Sequence, residues 1–427
     1  MSADDKRGGA IAYRVFDRLT GPPMLAVFAI LGAVAVGVVG VRYLAGINGP
    51  VAPGTDKVVT GDYLAFLTGA NVLAENGGAL YDLKTQLAVQ ARLVGMPLAS
   101  WQPYVNPPLF ALLLRPVVRM SFVQGFYLYT AVTIAVAVLG AFALVGVARS
   151  LARGRLEAVT VILLALGFHP IARTMLGGQN TVFTFALATG ALWALQTGRP
   201  IVAGALVGLL SYKPQYVPLF FAALVLARAW PAVIGAVVGF VAHYVAGAAL
   251  IGADWPLRLM ATMRPYRVME AANVATHFSL MPFFEYAIGG HVGTLLALAC
   301  AVGVLIALVR YAPRVRPGDA DFPLTWVMLL VGAMLLSPHL QYYDFGVLVL
   351  PVVVGLDTTV RRGSGVGLWL RLAIAAVYVA YPTLYEAYPV VRFQPLTLLM
   401  LALFVWLCRL GHATRGQSPS RPPAPSH

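Results

Sequence analysis

Residues 61–82 read GDYLAFLTGANVLAENGGALYD. Apolar side chains recur in this stretch at helical spacing, at Tyr63, Phe66, Leu67, Ala70, Leu73 and Ala74. We therefore expect a short amphipathic helix that begins at Asp62 and ends at Gly77-Gly78. Asp82 opens a second amphipathic helix, which Gly95 and Pro97 close. A carboxylate that such a helix holds at a membrane surface is a candidate catalytic group; the alternative is that Asp62 is an ordinary helix N-cap.

The composition predicts a membrane protein. Of 427 residues, 59% are hydrophobic and 11% are charged, and the mean hydropathy is +0.79. Soluble domains carry roughly 25% charged residues. The formal charge of +14 lies mostly beside hydrophobic spans, where Lys and Arg orient helices, so we expect no nucleic-acid partner. Cys300 and Cys408 lie in apolar stretches, which favours neither a disulfide nor a metal cluster, and we expect no cofactor.

Long apolar runs predict an all-α, polytopic protein with about 12 transmembrane helices. The runs cover residues 24–45, 122–148, 157–175, 180–196, 201–212, 215–228, 231–251, 291–310, 323–338, 342–356, 366–382 and 395–410. Two of them, 201–212 and 215–228, are short and predict a hairpin that turns at Lys213-Pro214. The apolar piece 105–119 contains Arg115 and Pro116, so we expect a re-entrant or surface helix there rather than a crossing.

The basic residues predict the orientation, since cytoplasmic loops are enriched in Lys and Arg. With both termini in the cytoplasm, the Arg-rich short loops all fall on the inner side of the membrane. The resulting organisation is a cytoplasmic segment at 1–23, a transmembrane catalytic domain at 24–410 and a disordered cytoplasmic tail at 411–427. The first outer loop, 46–121, carries the amphipathic helices.

This topology brings polar residues from six segments to the outer face. The segments are the Asp62 loop, 104–108, 169–180, 213–216, 254–286 and 337–344. They lie at helix ends beside Pro and Gly rather than in long hydrophilic loops, which favours a shared site. The alternative is that outer loops are simply polar.

The residue types at this face fit group transfer from a lipid-phosphate donor. Asp62 supplies a carboxylate that takes a proton, and Arg173 and Lys213 supply cations that hold a phosphate leaving group. The alternative for each cation is a base that extends to the membrane interface. The sequence has no Walker loop and no Gly-x-Gly-x-x-Gly after a strand, so ATP chemistry on the inner side is not expected.

In chain order the sequence holds Gly61-Asp62-Tyr63, Tyr81-Asp82, Asn106-Pro107-Pro108-Leu109, Arg115-Pro116, Gly178-Gln179-Asn180, Gly204 to Lys213-Pro214, and Ser337-Pro338. Their order and spacing resemble the successive motifs of glycosyltransferase family 87, polytopic GT-C enzymes that include polyprenyl-phosphate-mannose-dependent mannosyltransferases. The resemblance runs from about residue 24 to 356. Each motif is short and weak alone, and the specificity lies in their combination.

The resemblance implies an inverting, metal-independent transfer of a hexose, mannose-like, from a polyprenyl-phosphate sugar donor to a lipid or glycan acceptor at the outer face. It implies that Asp62 is the general base. The expected donor- and substrate-binding residues are Lys213, Arg173, Gln179, Asn180, Tyr63, Asn106, His339, Gln341, Tyr343 and Asp344. Membrane lipids are the remaining expected partners.

The sequence after Ser337-Pro338 departs from the mannosyltransferase pattern. Those members carry a Trp and one or two His shortly after the Ser-Pro, whereas this chain reads His339-Leu340-Gln341-Tyr342-Tyr343-Asp344. Asp344 thereby becomes a second candidate for the base. Two other functions remain open at this stage: a lipid or solute transporter, against which the lack of a visible repeat argues, and a non-catalytic membrane subunit of an envelope-assembly complex.

Overall fold

The computed structural model describes residues 22–413 except 56, 97–101, 272–275, 312–315, 318, 364–373, 375 and 382–393. Its structure is 79% helix. The α-helices are α1 Pro22–Ala45, α2 Tyr63–Asn76, α3 Leu83–Val94, α4 Pro108–Leu113, α5 Phe122–Val147, α6 Arg155–Gly167, α7 His169–Leu176, α8 Thr181–Gln196, α9 Pro200–Leu209, α10 Val217–Leu226, α11 Trp230–Ile251, α12 Trp255–Ala271, α13 Leu280–Ala287, α14 Gly290–Tyr311, α15 Phe322–Leu336, α16 Val349–Arg361 and α17 Pro395–Ala413. These residues contain no β-strand, as the all-α expectation requires.

Five helices in the described part of the chain are long and apolar enough to cross a membrane. They are Phe122–Val147, Trp230–Ile251, Gly290–Arg310, Tyr342–Arg361 and Pro395–His412, and the pair α6–α7, bent by 61°, is a possible sixth. The chain is thus a membrane-embedded protein, but the predicted number of 12 spans is not confirmed. Helices α8, α9, α10 and α15 coincide with predicted spans yet have only 10–16 residues. At 1.5 Å per residue they reach about 15–24 Å, less than a hydrocarbon core of about 30 Å.

Three predicted segments fall wholly or partly outside the described residues. The N-terminal segment 1–23 is described only from Pro22, and the span at 366–382 only at 374 and 376–381. The predicted tail begins at 411, whereas α17 continues to Ala413, after which the remainder lies outside the described residues.

The segment 46–121, expected as the first outer loop, contains the two short helices that its sequence predicts. Helix α2 gives way at Gly77 to a 3₁₀ turn, Gly77–Ala79. Asp82 caps α3, because its carboxylate accepts a hydrogen bond from the Thr85 amide at 2.7 Å. Gly95, with φ +80°, ends α3 in the left-handed conformation. The apolar piece 105–119 forms α4 and the 3₁₀ turn Arg115–Arg119, which is too short to cross a membrane.

Two hydrophobic cores hold these elements in place. The larger surrounds α15, of which 13 side chains are buried, and Trp326 donates to the Ala188 carbonyl at 3.1 Å. The smaller joins the first outer loop to the body through Tyr63, Phe66 and Phe126, with Ile251 and Trp255. It fixes the start of α2 against α5, and so fixes the position of Asp62.

The predicted hairpin at Lys213-Pro214 is present as α9, the 3₁₀ turn Leu210–Tyr212 and α10. Helix α9 lies against α11 with almost no space between the backbones. A Cβ on Gly204 would stand 1.8 Å from the Ala232 carbonyl oxygen. Small residues at such positions let membrane helices pack closely, and this packing holds the turn that carries Lys213.

Candidate active site

Two glycine-containing loops meet to place Asp62 beside Gln179. A Cβ on Gly61 would lie 2.0 Å from the Gly177 carbonyl oxygen, and one on Gly178 would lie 2.1 Å from the Thr60 carbonyl oxygen. Both Gly61 and Gly178 have positive φ, +52° and +69°. The two loops therefore approach at a distance that only glycine allows, which accounts for the Gly-Asp and Gly-Gly-Gln-Asn sequences.

The Asp62 carboxylate faces this junction instead of capping its helix. Asp62 occupies the N-cap position of α2, but its backbone is helical and its side chain makes no capping hydrogen bond, so the N-cap interpretation is wrong. The Gln179 side chain lies beside the carboxylate and lowers its pKa, and the Tyr343 hydroxyl lies 3.4 Å from Oδ2. Burial raises the pKa of Asp62 to about 6, against the lowering effects of Gln179, Lys213 and Tyr343. Asp62 lies outside the candidate spans and remains partly exposed.

Asp344 is held in a buried ion pair. Its Oδ1 accepts from Lys213 Nζ at 2.6 Å and from the Thr181 hydroxyl at 2.6 Å. Its Oδ2 accepts from the Gln341 backbone amide at 3.1 Å. The side chains of Lys213 and Asp344 are 13% and 3% exposed. The two carboxylates thus differ: one is compensated and enclosed, and the other is partly open.

Amide and hydroxyl groups connect the first outer loop to these residues. Asn180 Nδ2 donates to Asn106 Oδ1 at 3.2 Å, and the Asn106 carbonyl accepts from the Tyr81 hydroxyl at 2.8 Å. The Tyr212 hydroxyl donates to the Asn180 carbonyl at 3.1 Å and also contacts the Thr184 hydroxyl. The site is thereby assembled from the first outer loop, the start of α8 and the turn before α10.

The remaining predicted binding residues form two groups around the segment that follows α15. Arg173 donates to the Tyr342 hydroxyl at 3.1 Å, and its guanidinium lies 5.8 Å from the centre of the Tyr342 ring. His339 Nδ1 lies 2.9 Å from His277 Nε2, and the Gln341 amide nitrogen lies 3.2 Å from the same His277 atom. Each group is linked along the chain to Tyr343 and Asp344.

Tyr63 is the predicted site residue that the structure places elsewhere. Its side chain is fully buried, and its ring packs edge-on against Phe122 and Phe126 at centroid distances of 5.4 and 5.2 Å. It stabilises the start of α2 from the core side. Its place directly after Asp62 suggested a ligand contact, but the next residue on a helix points about 100° away from its neighbour.

The sequence interpretation did not single out Thr181 or Tyr212 and did not assign a role to His277. Thr181 joins both members of the ion pair, since it also accepts from Lys213 Nζ at 3.1 Å. Its position directly after Gln179-Asn180 was the only available signal. His277 lies in the long loop that was expected at the outer face, but nothing in its local sequence indicates a contact with His339.

The arrangement suits acid–base chemistry. A carboxylate whose pKa is raised towards neutrality is an effective proton acceptor. Among the residues that the structure describes, no three His, Cys, Asp or Glu side chains come together as a metal site would require. Phosphate-binding chemistry is available from Lys213 and Arg173, whose donors suit anionic oxygens.

The comparison with known families supports the resemblance. The family model for glycosyltransferase family 87 matches residues 104–338, more than half of the chain. No curated protein and no solved structure matches the chain. The matched region contains the Asn106, Gln179-Asn180 and Lys213 segments and ends at Ser337-Pro338. The resemblance inferred from the motifs is confirmed: the chain belongs to glycosyltransferase family 87 and is a membrane glycosyltransferase.

Proposed function

We propose that the protein transfers a hexose, mannose-like, from a polyprenyl-phosphate donor to a lipid or glycan acceptor, with inversion and with Asp62 as the general base. Membership of the family supports the reaction class. The observation that carries the assignment of the base is the contrast between the two carboxylates. Asp344 has Lys213, Thr181 and the Gln341 amide as partners and is 2% exposed, so its oxygens are already occupied. Asp62 is partly exposed and does not cap its helix.

The proposed step is a single displacement. The acceptor hydroxyl oxygen attacks the anomeric carbon, the bond from that carbon to the phosphate oxygen breaks, and polyprenyl phosphate leaves with the bonding electrons. The hydroxyl proton passes to Asp62. Because an alcohol is far less acidic than a carboxylic acid, proton transfer accompanies attack, so the position of the carboxylate matters more than its basicity. The Gln179 side chain, which lies beside the carboxylate, supports that position.

We propose that Lys213 and Arg173 bind the donor phosphate. An ammonium has three N–H donors, and the described residues accept from two of those of Lys213: Thr181 at 3.1 Å and Asp344 at 2.6 Å. The third donor is the one that we assign to a phosphate oxygen. Arg173 carries the additional positive charge, since the charge of Lys213 is already balanced by Asp344.

Gln179, Asn180, Asn106, His339, Gln341 and Tyr343 are proposed to form the polar walls for the sugar and the acceptor. Their amide, imidazole and hydroxyl groups donate to and accept from sugar hydroxyls. The proposed location is the outer face of a bacterial inner membrane, with both termini in the cytoplasm and the catalytic domain at 24–410. Loop 46–121 then lies on the side of the acceptor.

Purified protein in proteoliposomes tests the proposal. It is supplied with polyprenyl-phosphate mannose or polyprenyl-phosphate glucose, together with lipids and glycans extracted from bacterial envelopes. We expect a new glycosidic product and an equal amount of released polyprenyl phosphate. A transporter would move the donor across the bilayer with no new bond, and a non-catalytic subunit would release no polyprenyl phosphate. Either result contradicts the proposal.

A further inference from the structure

The Tyr343 hydroxyl stands where an acceptor hydroxyl must stand. It lies 3.4 Å from Asp62 Oδ2. Among the described residues, it is the only tyrosine hydroxyl within hydrogen-bond distance of this carboxylate. A general base must lie within hydrogen-bond reach of the proton that it removes. If Asp62 is the base, an incoming alcohol therefore competes with Tyr343 for the same carboxylate.

The hydrogen bond between the Tyr343 hydroxyl and Asp62 is long. Hydroxyl–carboxylate hydrogen bonds normally measure 2.5–3.0 Å, so a hydroxyl at 3.4 Å is easily displaced. Gln179, by contrast, is 6% exposed, and the loop that carries it is fixed by the close approach of Gly178 to Thr60. Of the two side chains beside Asp62, Gln179 is the more buried and Tyr343 is the more exposed.

The backbone on both sides of Tyr343 is anchored, so only its side chain moves. The Tyr342 carbonyl accepts from the Tyr381 hydroxyl at 2.6 Å, and Asp344 is bound by Lys213 and Thr181. The Tyr343 ring is partly exposed and rests against the Tyr342 ring with a centroid distance of 5.3 Å. Rotation of a partly exposed side chain needs no rearrangement of the fold.

Water is the competitor that such a placement excludes. A water molecule beside Asp62 would donate its proton to the carboxylate and attack the anomeric carbon. The bond to phosphate would break, and polyprenyl phosphate and free hexose would form. Hydrolysis and transfer thus share one base and differ only in the hydroxyl that it deprotonates.

We propose that Tyr343 occupies the acceptor position on Asp62 until an acceptor displaces it, and so protects the bound donor from hydrolysis. The inference rests on the proposed function, since it needs Asp62 to be the base. It makes Tyr343 a specificity-determining residue that selects a sugar or lipid hydroxyl over water. A purely structural tyrosine at this position would have no influence on that selection.

The test compares donor hydrolysis without acceptor to transfer with acceptor in the same preparation. Tyr343→Phe keeps the ring and removes only the hydroxyl. We expect the ratio of hydrolysis to transfer to rise about twofold, the effect of losing a hydrogen bond at the weak end of the usual range. The ratio does not depend on the fraction of folded protein. The donor is polyprenyl-phosphate mannose or glucose, whichever the wild type transfers.

The matched control is Tyr127→Phe. It removes the hydroxyl of an exposed tyrosine, which donates to the Leu44 carbonyl at 2.8 Å. We expect this variant to leave the ratio of hydrolysis to transfer unchanged. Adding Asp62→Asn to Tyr343→Phe abolishes the extra hydrolysis, because water then has no base. An unchanged ratio in Tyr343→Phe, with Asp62→Asn inactive, overturns this inference and leaves the proposed function standing. Full transfer by Asp62→Asn overturns both.

Discussion

Replacing Lys213 by Met breaks the buried ion pair and leaves Asp344 charged in a nearly closed environment. The two atoms of the pair, Lys213 Nζ and Asp344 Oδ1, are 2.6 Å apart, and the side chains are 13% and 3% exposed. Removing one partner of a buried pair costs about 3–5 kcal/mol of stability, because the other charge stays uncompensated. Asp344 keeps its hydrogen bonds from Thr181 and the Gln341 amide, so we expect about 3 kcal/mol, the lower end.

The measurement is the free energy of unfolding from denaturation in detergent micelles. Arg92→Gln is the control, because it breaks the Arg92–Glu75 pair, whose side chains are 57% and 51% exposed; such exposed pairs contribute about 0–1 kcal/mol. The double variant Lys213→Met, Asp344→Leu removes both charges and recovers much of the lost stability. Equal stabilities of Lys213→Met and Arg92→Gln would refute the reasoning. In the fraction of Lys213→Met that remains folded, we expect donor binding to weaken by more than it would on loss of a basic residue at the rim of the site.

Four further predictions concern the titration of Asp62, the glycine junction that holds it and the membrane topology. A general base must be ionised, and the pKa of Asp62 is raised to about 6. We therefore expect kcat/KM to be level above pH 6 and to fall about tenfold per pH unit below it. A flat profile down to pH 4.5 would argue against Asp62 as the base. The same shift makes the folded protein gain stability as the pH falls from about 6 towards 3.8, because the folded state then binds the extra proton. We expect Gly178→Ala to lose transfer and to be less stable than the control variant Gly198→Ala. Both glycines have positive φ, but of the two only Gly178 would place a Cβ against backbone, 2.1 Å from the Thr60 carbonyl oxygen. Equal effects of the two substitutions would show that the close approach of the two loops is unimportant. Gly78→Cys reacts with an impermeant thiol reagent from the outer face of intact cells, and labelling only from the inside would contradict the proposed topology.

The short helices and turns could be predicted from the sequence because capping and turn residues lie within the elements that they define. Asp82 and Gly95 bound α3 as their residue types predict, and the Lys213-Pro214 turn interrupts an apolar run where expected. The number of membrane spans was harder to predict from the sequence. Helices α9 and α10 lie in apolar runs, but they have only 10 residues each, so apolar runs alone do not establish the number of crossings.

The contacts that form the candidate site join residues far apart in the chain. Tyr343 and Asp62 are 281 positions apart, and Lys213 and Asp344 are 131 apart. Helical periodicity and capping patterns extend over a few turns and carry no information about such pairs. The order of family motifs indicated that these segments act together. Only the three-dimensional arrangement distinguishes the enclosed Asp344 from the partly exposed Asp62, and only it places Tyr63 in the core.

Transfer by Asp62→Asn, measured beside Asp344→Asn, tests the central claim most directly. Asn keeps the size of the side chain and removes a carboxylate whose ionised form is disfavoured by burial, so the folded state and donor binding persist. We expect Asp62→Asn to bind polyprenyl-phosphate donor like the wild type and to transfer about 10²–10⁴-fold more slowly, the usual contribution of a general base. Near-normal transfer by Asp62→Asn, with Asp344→Asn folded but inactive, would contradict the claim and assign the base to Asp344.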